Sequence, residues 1–303
     1  MLRLAPYLAG ALALAGCTDF RTLPEPPPQP PAVETPAVSE ASRVATRHYA
    51  SVQQSLLAQG KLRTETAPAD APYSNEDLAR NFVAIALFDE YTTEAGRLVD
   101  RRSASSLRRW TKPVRLQLHF GDSVSPAIRE TDRLAVEAYT RRLRGATAHP
   151  IVLANSGGNF HVFIVNEDER MVIGEALAEV YPDITRATID RVENMPLSDL
   201  CLALSNIDQR TGQFVNAIAI IRAEHPALSR QSCLHEEIAQ GLGLPNDSPD
   251  ARPSIFNDDE EFAFLTDHDA ELLSLLYNPA LSPGMTAAQV RPILSQLLLE
   301  PAS

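Results

Sequence analysis

The sequence feature that most constrains the fold of this chain is a cluster of prolines near its N-terminus. Seven prolines lie between positions 24 and 36. Proline has no backbone N–H and a fixed φ, so such a run is excluded from helix interiors and central strands and favours extended polyproline II. We therefore expect residues 17–72 to be a tether, with one amphipathic helix over 40–62, and residues 73–303 to be the globular domain.

The residues before the tether resemble an export signal. Arg3 supplies a positive charge, and residues 8–15 supply an apolar stretch that is too short to be a transmembrane helix. Residues 14–17, Leu-Ala-Gly-Cys, resemble the bacterial lipobox, which predicts removal of residues 1–16 and lipidation of Cys17. The following Thr18, in place of aspartate, favours the outer membrane by the same resemblance. An ordinary cleaved signal with a chance cysteine is the alternative.

Composition limits the partners of the mature protein. The formal net charge is -12, so the surface repels nucleic-acid phosphate, and we expect no nucleic-acid partner. The expected membrane partner is reached through the lipid on Cys17, because acyl chains can anchor a protein that has no spanning helix. A hydrophobic fraction of 44% is sufficient for an ordinary globular core.

Hydrophobic periodicity predicts an α+β domain with a small mixed sheet. Ser74 and Asp77 form a capping-box pattern that predicts a helix up to Phe88. Alternating or continuous apolar runs predict strands over 113–120, 159–165 and 213–222. Helical patterns cover 126–144, 182–194, 232–242, 267–277 and 286–299. Strands that alternate with helices favour a sheet with helices packed on it.

Two cysteines remain after Cys17. In an oxidising envelope compartment, Cys201 and Cys233 are expected to form a disulfide. It would attach the start of the predicted helix over 232–242 to the segment before the strand over 213–222. A thiolate metal ligand or nucleophile is the alternative, and no Cys-x-x-Cys spacing supports it.

One segment, HEEIAQGLGLPND at positions 235–247, contains candidate metal-binding and catalytic residues. In metzincins, two histidines one helical turn apart bind zinc, a glutamate between them is the general base, and a glycine bend brings in a third ligand. If the pattern starts at His235, Ala239 takes the second ligand position, where alanine cannot bind a metal. The pattern therefore has to start at Glu236.

In this second register, oxygen-bearing side chains take the three ligand positions and the base position. They are the candidate metal ligands Glu236, Gln240 and Asn246 or Asp247, and the candidate general base Glu237. Oxygen ligands of this kind suit Ca²⁺ or Mn²⁺ at least as well as Zn²⁺, so a divalent metal is a hypothesis and no cofactor is required. The alternative is that these side chains form the solvated face of an amphipathic helix that stops at Gly241 and Gly243.

Several blocks of the sequence together resemble a bacterial family, the "domain of unknown function" family number 2927. They are 109–115 (RWTKPVR), 159–162 (NFHV), Cys233 with 236–247 (EEIAQGLGLPND), 254–258 (SIFND), 276–279 (LYNP) and 283–285 (PGM). The resemblance implies secreted or lipid-anchored proteins with a zincin-like (metzincin-like) domain and no assigned activity. It also implies that Gln240 is a family trait.

Two functions follow as hypotheses. The first is an envelope lipoprotein whose degenerate metzincin-like site binds a peptide or protein partner along a sheet edge. The second is a metal-dependent peptidase with Glu237 as general base. His161 and His268 are further candidates for completing a metal site in space. The acidic run over 257–261 is a candidate for Ca²⁺, but it lacks the calcium-loop spacing, so a solvated loop explains it better.

Overall fold

The computed structural model of the chain describes residues 36–94, 97–181, 183–257 and 259–299, and within 90–100 it describes only the backbone. The described residues belong to one compact unit. The export signal, Cys17 and most of the proline run lie outside the described residues. None of the helices in the described part of the chain combines the length and the apolar stretch that crossing a bilayer requires.

The described residues form helices and strands in alternation. The strands are β1 (Phe88–Glu94), β2 (Arg97–Ala104), β3 (Val114–Phe120), β4 (Ile151–Leu153), β5 (Phe160–Val165), β6 (Cys201–Asp208) and β7 (Gln213–Arg222). The helices are α1 (Glu40–Ala58), α2 (Asn75–Ala86), α3 (Pro126–Thr147), α4 (Glu167–Arg170), α5 (Gly174–Val180), α6 (Arg186–Glu193), α7 (Ala227–Gln240), α8 (Asp267–Tyr277) and α9 (Ala287–Leu299).

Five strands form one mixed sheet in the order β4-β3-β5-β7-β6. The strands from β4 to β7 run parallel, and β6 is antiparallel to β7 at one edge. β1 and β2 form a separate antiparallel hairpin. The expectation of an α+β domain with a small mixed sheet is therefore confirmed.

Each face of the sheet has its own core because side chains alternate along a strand. On one face, Phe160 and Ile221 belong to the larger cluster, which also takes in residues of α2, α3, α7 and α8. On the other face, Phe163, Ile218 and Ile220 form a smaller cluster under α5 and α6. α7 lies in the larger core and packs on β6 and β7.

The segment expected as the second half of the tether packs on the domain. α1 covers nearly the range predicted for a helix, and its Tyr49 is 1% exposed. After α1, the backbone N–H groups of Leu62 and Arg63 donate to the carbonyls of Glu260 and Glu261. α1 therefore belongs to the compact unit, because it buries Ala45 and Tyr49.

Most predicted elements lie where their patterns place them, and the exceptions have local reasons. Ser74 and Asp77 form the predicted capping box of α2. α7 begins at Ala227 and not near residue 232. Pro226 fits the N-cap position because the backbone N–H that proline lacks has no partner within the helix there. The hairpin, β4 and β6 were not predicted from their sequences.

Candidate functional site

α7 carries the metzincin-like segment and lies directly against the sheet. Leu234, Ile238 and Leu242 form its predicted core-facing stripe, and all three are buried. Tight packing fixes the end of this helix: a Cβ on Gly241 would lie 2.3 Å from Cζ of Phe160. The helix therefore cannot shift away from the sheet without losing core contacts.

The chain bends after α7 at a position that only glycine fits. Gly243 has a φ of +124°, and a Cβ there would lie 2.3 Å from the carbonyl oxygen of Arg108. This backbone region and this close approach both exclude an L side chain without strain. The predicted glycine bend is therefore present.

Glu236 and Glu237 lie together beside Cys201 at the start of β6. One carboxylate oxygen of each glutamate and Sγ of Cys201 all lie within 4.8 Å of one another. Glu237 is 4% exposed, and Glu236 is half-buried. The pair therefore does not form the solvated helix face that is the alternative explanation of the motif.

The predicted disulfide between Cys201 and Cys233 is present, with 5.8 Å between the Cα atoms. It joins the first residue of β6 to the middle of α7. It thereby holds the helix that carries the two glutamates against the edge strand. A disulfide sulfur carries no thiolate charge, so neither cysteine is a metal ligand in this state.

The other candidate ligands are buried farther along the chain. Gln240 is 8% exposed at the end of α7. Asn246 is 2% exposed, and its Nδ2 donates to the carbonyls of Ala84 and Asp247 at 2.8 and 2.5 Å. The bond to Ala84 ties the loop after Gly243 to the end of α2. In the described part of the chain, Asp247 is not in the group of ligand atoms that Glu236 and Glu237 form with Cys201.

The donors that lie together do not fit zinc. With the sulfur of Cys201 in a disulfide, two carboxylates remain in the cluster, with neither an imidazole nor a thiolate. Protein zinc sites combine three or four ligands and draw mainly on histidine and cysteine. Carboxylate oxygens suit Ca²⁺ or Mn²⁺ better, but Ca²⁺ takes six to eight oxygen ligands. No catalytic step through a metal follows from this donor set.

His235, the first residue of the rejected register, is a packing residue. Its ring stacks on Tyr139 with 3.8 Å between ring centroids. Its Nδ1 accepts a hydrogen bond from the N–H of Leu265 over 3.1 Å. Burial lowers the pKa of His235 to about 3, so the ring stays neutral.

The two other candidate histidines lie in separate places. Nε2 of His119 and Nδ1 of His161 are 2.9 Å apart, on the sheet face opposite α7, and burial lowers the pKa of His161 to about 4. His268 is fully buried in α8, where its Nε2 lies 3.0 Å from Nδ2 of Asn81. The structure therefore does not bring either histidine into the cluster of Glu236 and Glu237.

α1 and Glu236 line the same small crevice. Residues of α1, including Tyr49 and Leu56, form it together with Glu236, Cys233 and Glu260. Its volume is about 10 Å³, close to the space that a single water molecule needs. The crevice is therefore too small to hold a peptide.

Three contacts hold α1 against the domain beside this crevice. The ring of Tyr49 packs on His225 with 4.1 Å between centroids, and its hydroxyl donates to the carbonyl of Leu197. The N–H and hydroxyl of Ser229 at the start of α7 donate to Oε1 of Gln53 over 3.0 and 2.9 Å. Burial lowers the pKa of His225 to about 4, so the ring under Tyr49 is neutral near pH 7.

The outer edge of β6 presents backbone groups to solvent. The N–H groups of Ala217 and Ala223 donate to carbonyls of Asn159 and Val165, so odd-numbered residues of β7 face β5. The even-numbered residues of β7 must then face β6, because backbone groups alternate sides along a strand. These residues pair with Leu202, Leu204 and Asn206.

It follows that Ala203 and Ser205 direct their N–H and C=O groups away from the sheet. Ser205 is exposed and Ala203 is half-buried. Among the described residues, no backbone hydrogen bond from outside the sheet reaches residues 202–207. This free edge begins at Cys201, so Glu236 and Glu237 lie at one of its ends.

The sequence did not point to Ala203 and Ser205, because their contribution is made by the backbone and not by the side chain. The segment over 201–208 mixes apolar and polar residues without strong β-branched character. The one usable signal was Cys201, since a predicted disulfide to α7 places the segment that follows it next to that helix.

Comparison with known proteins gives one finding. The family described as "Protein of unknown function (DUF2927)" matches residues 75–296. This range begins at α2 and therefore leaves α1 outside the match. No curated protein and no solved structure matches the chain significantly.

Proposed function

This chain belongs to the DUF2927 family of proteins of unknown function, and from its free sheet edge we propose that it is a cell-envelope lipoprotein whose zincin-like domain binds an extended peptide of a partner protein. The peptide pairs with β6 and passes the disulfide at Cys201. Lipidation of Cys17, with the outer membrane as the favoured location, is the part of this proposal that rests on the sequence alone.

The observation that carries the proposal is the outward-facing backbone of Ala203 and Ser205. An open strand edge is a template for another extended chain, and proteins use such edges to bind peptides. The hydrogen bonds come from the backbone, so affinity does not require a particular peptide sequence. Selectivity comes from the side chains that lie near the edge.

The arrangement of helix and sheet supports a zincin-like scaffold. Such a scaffold needs a helix that bears the candidate residues, a sheet along that helix with a strand edge beside it, and a glycine bend after it. α7, β6 and Gly243 meet these requirements. The buried Glu237 stands where the motif places a general base.

The same geometry favours binding over catalysis. With Sγ of Cys201 in a disulfide, two carboxylates remain in the group of ligand atoms that lie within 4.8 Å of one another among the described residues. The metallopeptidase hypothesis requires a metal on Glu236, Gln240 and Asn246 or Asp247, and in the described part of the chain Asp247 is not in that group.

A pair of proline substitutions tests the binding edge. Ser205→Pro removes an N–H that points away from the sheet, and Asn206→Pro removes one that points into the β6–β7 ladder. A peptide that binds is first selected from a displayed library of random extended peptides. We expect Ser205→Pro to abolish its binding and to leave thermal unfolding nearly unchanged.

Asn206→Pro serves as the matched control, since it should lower the unfolding temperature because a ladder bond is lost. Binding that survives Ser205→Pro in a folded protein would contradict the proposal. Failure to select any peptide from the library would also count against it.

Metal analysis of the purified protein separates the two hypotheses. We expect no stoichiometric zinc, calcium or manganese, and unchanged peptide binding in Glu237→Gln. Stoichiometric metal that is lost in Glu236→Ala, together with peptide hydrolysis that is lost in Glu237→Gln, would favour the metallopeptidase.

A further inference from the structure

A second open strand edge lies at the other end of the sheet, at β4, next to a groove. The groove has a volume of about 430 Å³, and its walls are β4 and one side of α3. This volume falls within the roughly 300–1,000 Å³ that ligand-binding clefts occupy. β4 and β6 are opposite edges of the sheet, so this surface is separate from the site described above.

Two hydrogen bonds fix which backbone groups of β4 are free. The N–H of Val114 donates to the carbonyl of Pro150, and the N–H of Ala154 donates to the carbonyl of Leu116. In a parallel ladder, these bonds place the backbone groups of the intervening Val152 toward β3.

The N–H and C=O groups of Ile151 and Leu153 therefore point out of the sheet. Among the described residues, no backbone group from another element reaches them. Ile151 is fully buried, whereas Leu153 is half-buried. An extended peptide can therefore add to β4 through the backbone groups of Leu153.

The side of α3 that faces the groove is basic. Arg133, Arg141 and Arg144 line it, in a chain whose net charge is -12. Glu137 also lines the groove and pairs with Arg141 at 2.9 Å. This pair is exposed and contributes little to stability, so Arg141 can exchange its partner for another carboxylate.

The spacing of the arginines matches an extended peptide. Arg133 and Arg144 are eleven positions apart on α3, which corresponds to about 16 Å at roughly 1.5 Å per helical residue. An extended strand covers that length with about five residues at roughly 3.3 Å each. Alternate side chains of such a strand face the same way, so two or three of them can reach the arginines.

We propose that the groove between β4 and α3 binds an extended acidic peptide segment of a partner protein. The peptide backbone pairs with Leu153, and its aspartate or glutamate side chains bind Arg141 and Arg144. Arginine forms paired, planar hydrogen bonds with carboxylates, which selects for acidic residues. Val152, 41% exposed, offers an apolar contact at the rim.

Fluorescence anisotropy with a labelled synthetic peptide of alternating aspartate and threonine tests this proposal on the full chain. Arg144→Glu reverses one charge in the groove, and the matched control Arg291→Glu makes the same change at an exposed site on α9. We expect Arg144→Glu to weaken binding about tenfold or more, equivalent to about 1.4 kcal/mol, and Arg291→Glu to have less than about a twofold effect.

The backbone contribution has its own pair of variants. Leu153→Pro removes the outward N–H, whereas Leu153→Ala trims the side chain and keeps that N–H. We expect binding to be lost in Leu153→Pro and retained in Leu153→Ala, with circular dichroism confirming that both are folded. If Leu153→Pro does not fold, the Arg144 comparison decides alone.

Other outcomes overturn the proposal. Equal weakening by Arg144→Glu and Arg291→Glu would mean that the net charge of the protein, and not the groove, governs binding. Displacement of the peptide by inorganic phosphate or by vesicles of anionic lipid, at concentrations that match its carboxylates, would identify a general anion site. Equal binding of a peptide with lysine in place of aspartate would remove the electrostatic basis.

Discussion

The disulfide between Cys201 and Cys233 allows a quantitative prediction about the candidate site. Its two residues are 32 positions apart. Loop-closure entropy for a loop of that length predicts a stabilisation of about 4 kcal/mol at 25 °C. Cys233 is 3% exposed, so alanine is the better replacement, since serine would bury a hydroxyl group. We therefore expect Cys201→Ala/Cys233→Ala to lower the free energy of unfolding by about 4 kcal/mol.

Urea unfolding followed by circular dichroism measures this loss directly. For a domain of this size, it corresponds to a fall of roughly 8–15 °C in the unfolding temperature. Wild-type protein unfolded in the presence of a reductant provides the control, because it removes the bond without changing the side chains. The two measurements should agree within about 1 kcal/mol. A loss below about 1 kcal/mol in both would refute the view that the bond stabilises the position of α7 on β6.

Three further predictions concern buried groups. Tyr49→Ala should destabilise the docking of α1 by about 3–5 kcal/mol and make the disulfide easier to reduce by dithiothreitol. Tyr49→Phe loses only the hydrogen bond to Leu197, which is worth about 1 kcal/mol. Equal reduction rates in wild type and Tyr49→Ala would contradict this prediction. Burial lowers the pKa of His225 to about 4, so the stability contributed by its neutral ring is fully present above pH 6.5. Up to about 3 kcal/mol of the free energy of unfolding is lost as the pH falls from 6.5 to 4. A His225→Gln variant with unchanged pH dependence would show that other groups are responsible. Asp132→Ala leaves Arg230 buried without its carboxylate partner at 2.7 Å, so the free energy of unfolding should fall by about 3–5 kcal/mol. Adding Arg230→Met should recover part of that loss. No recovery in the double variant would count against the ion pair as the cause.

The two free edges give the sheet a different chemical character at each end. The β6 edge ends at the carboxylates of Glu236 and Glu237, whereas the β4 edge adjoins the arginines of α3. Salt should weaken binding at the β4 edge, where Arg141 and Arg144 are exposed to solvent.

Patterns of burial made the main elements predictable. Val114, Leu116 and Leu118 alternate with polar residues because β3 has one face in the larger core, and the capping box at Ser74 marks the start of α2. β4 was not predicted because it has three residues, too few for a period to appear. β6 was not predicted because it is an edge strand, whose polar and apolar residues do not follow a clean alternation.

The candidate site was predictable in its residues and not in its contacts. The motif placed Glu236 and Glu237 on one helix before a glycine bend, which the local backbone requires. It did not reveal that Asn246 donates to the carbonyl of Ala84, or that α1 and Glu236 line one crevice. Both contacts join residues that are far apart in the chain, and no local pattern encodes them.

The sequence by itself determined the elements with strong periodicity, the pairing of Cys201 with Cys233 and the bend at Gly243. Each of these depends on the residue itself and its near neighbours, through burial, sulfur chemistry or backbone conformation. Only the tertiary structure decided which strands became edges and what α1 covers. Those outcomes depend on the order in which the whole chain stacks its strands, because an edge is defined by the neighbour that a strand lacks.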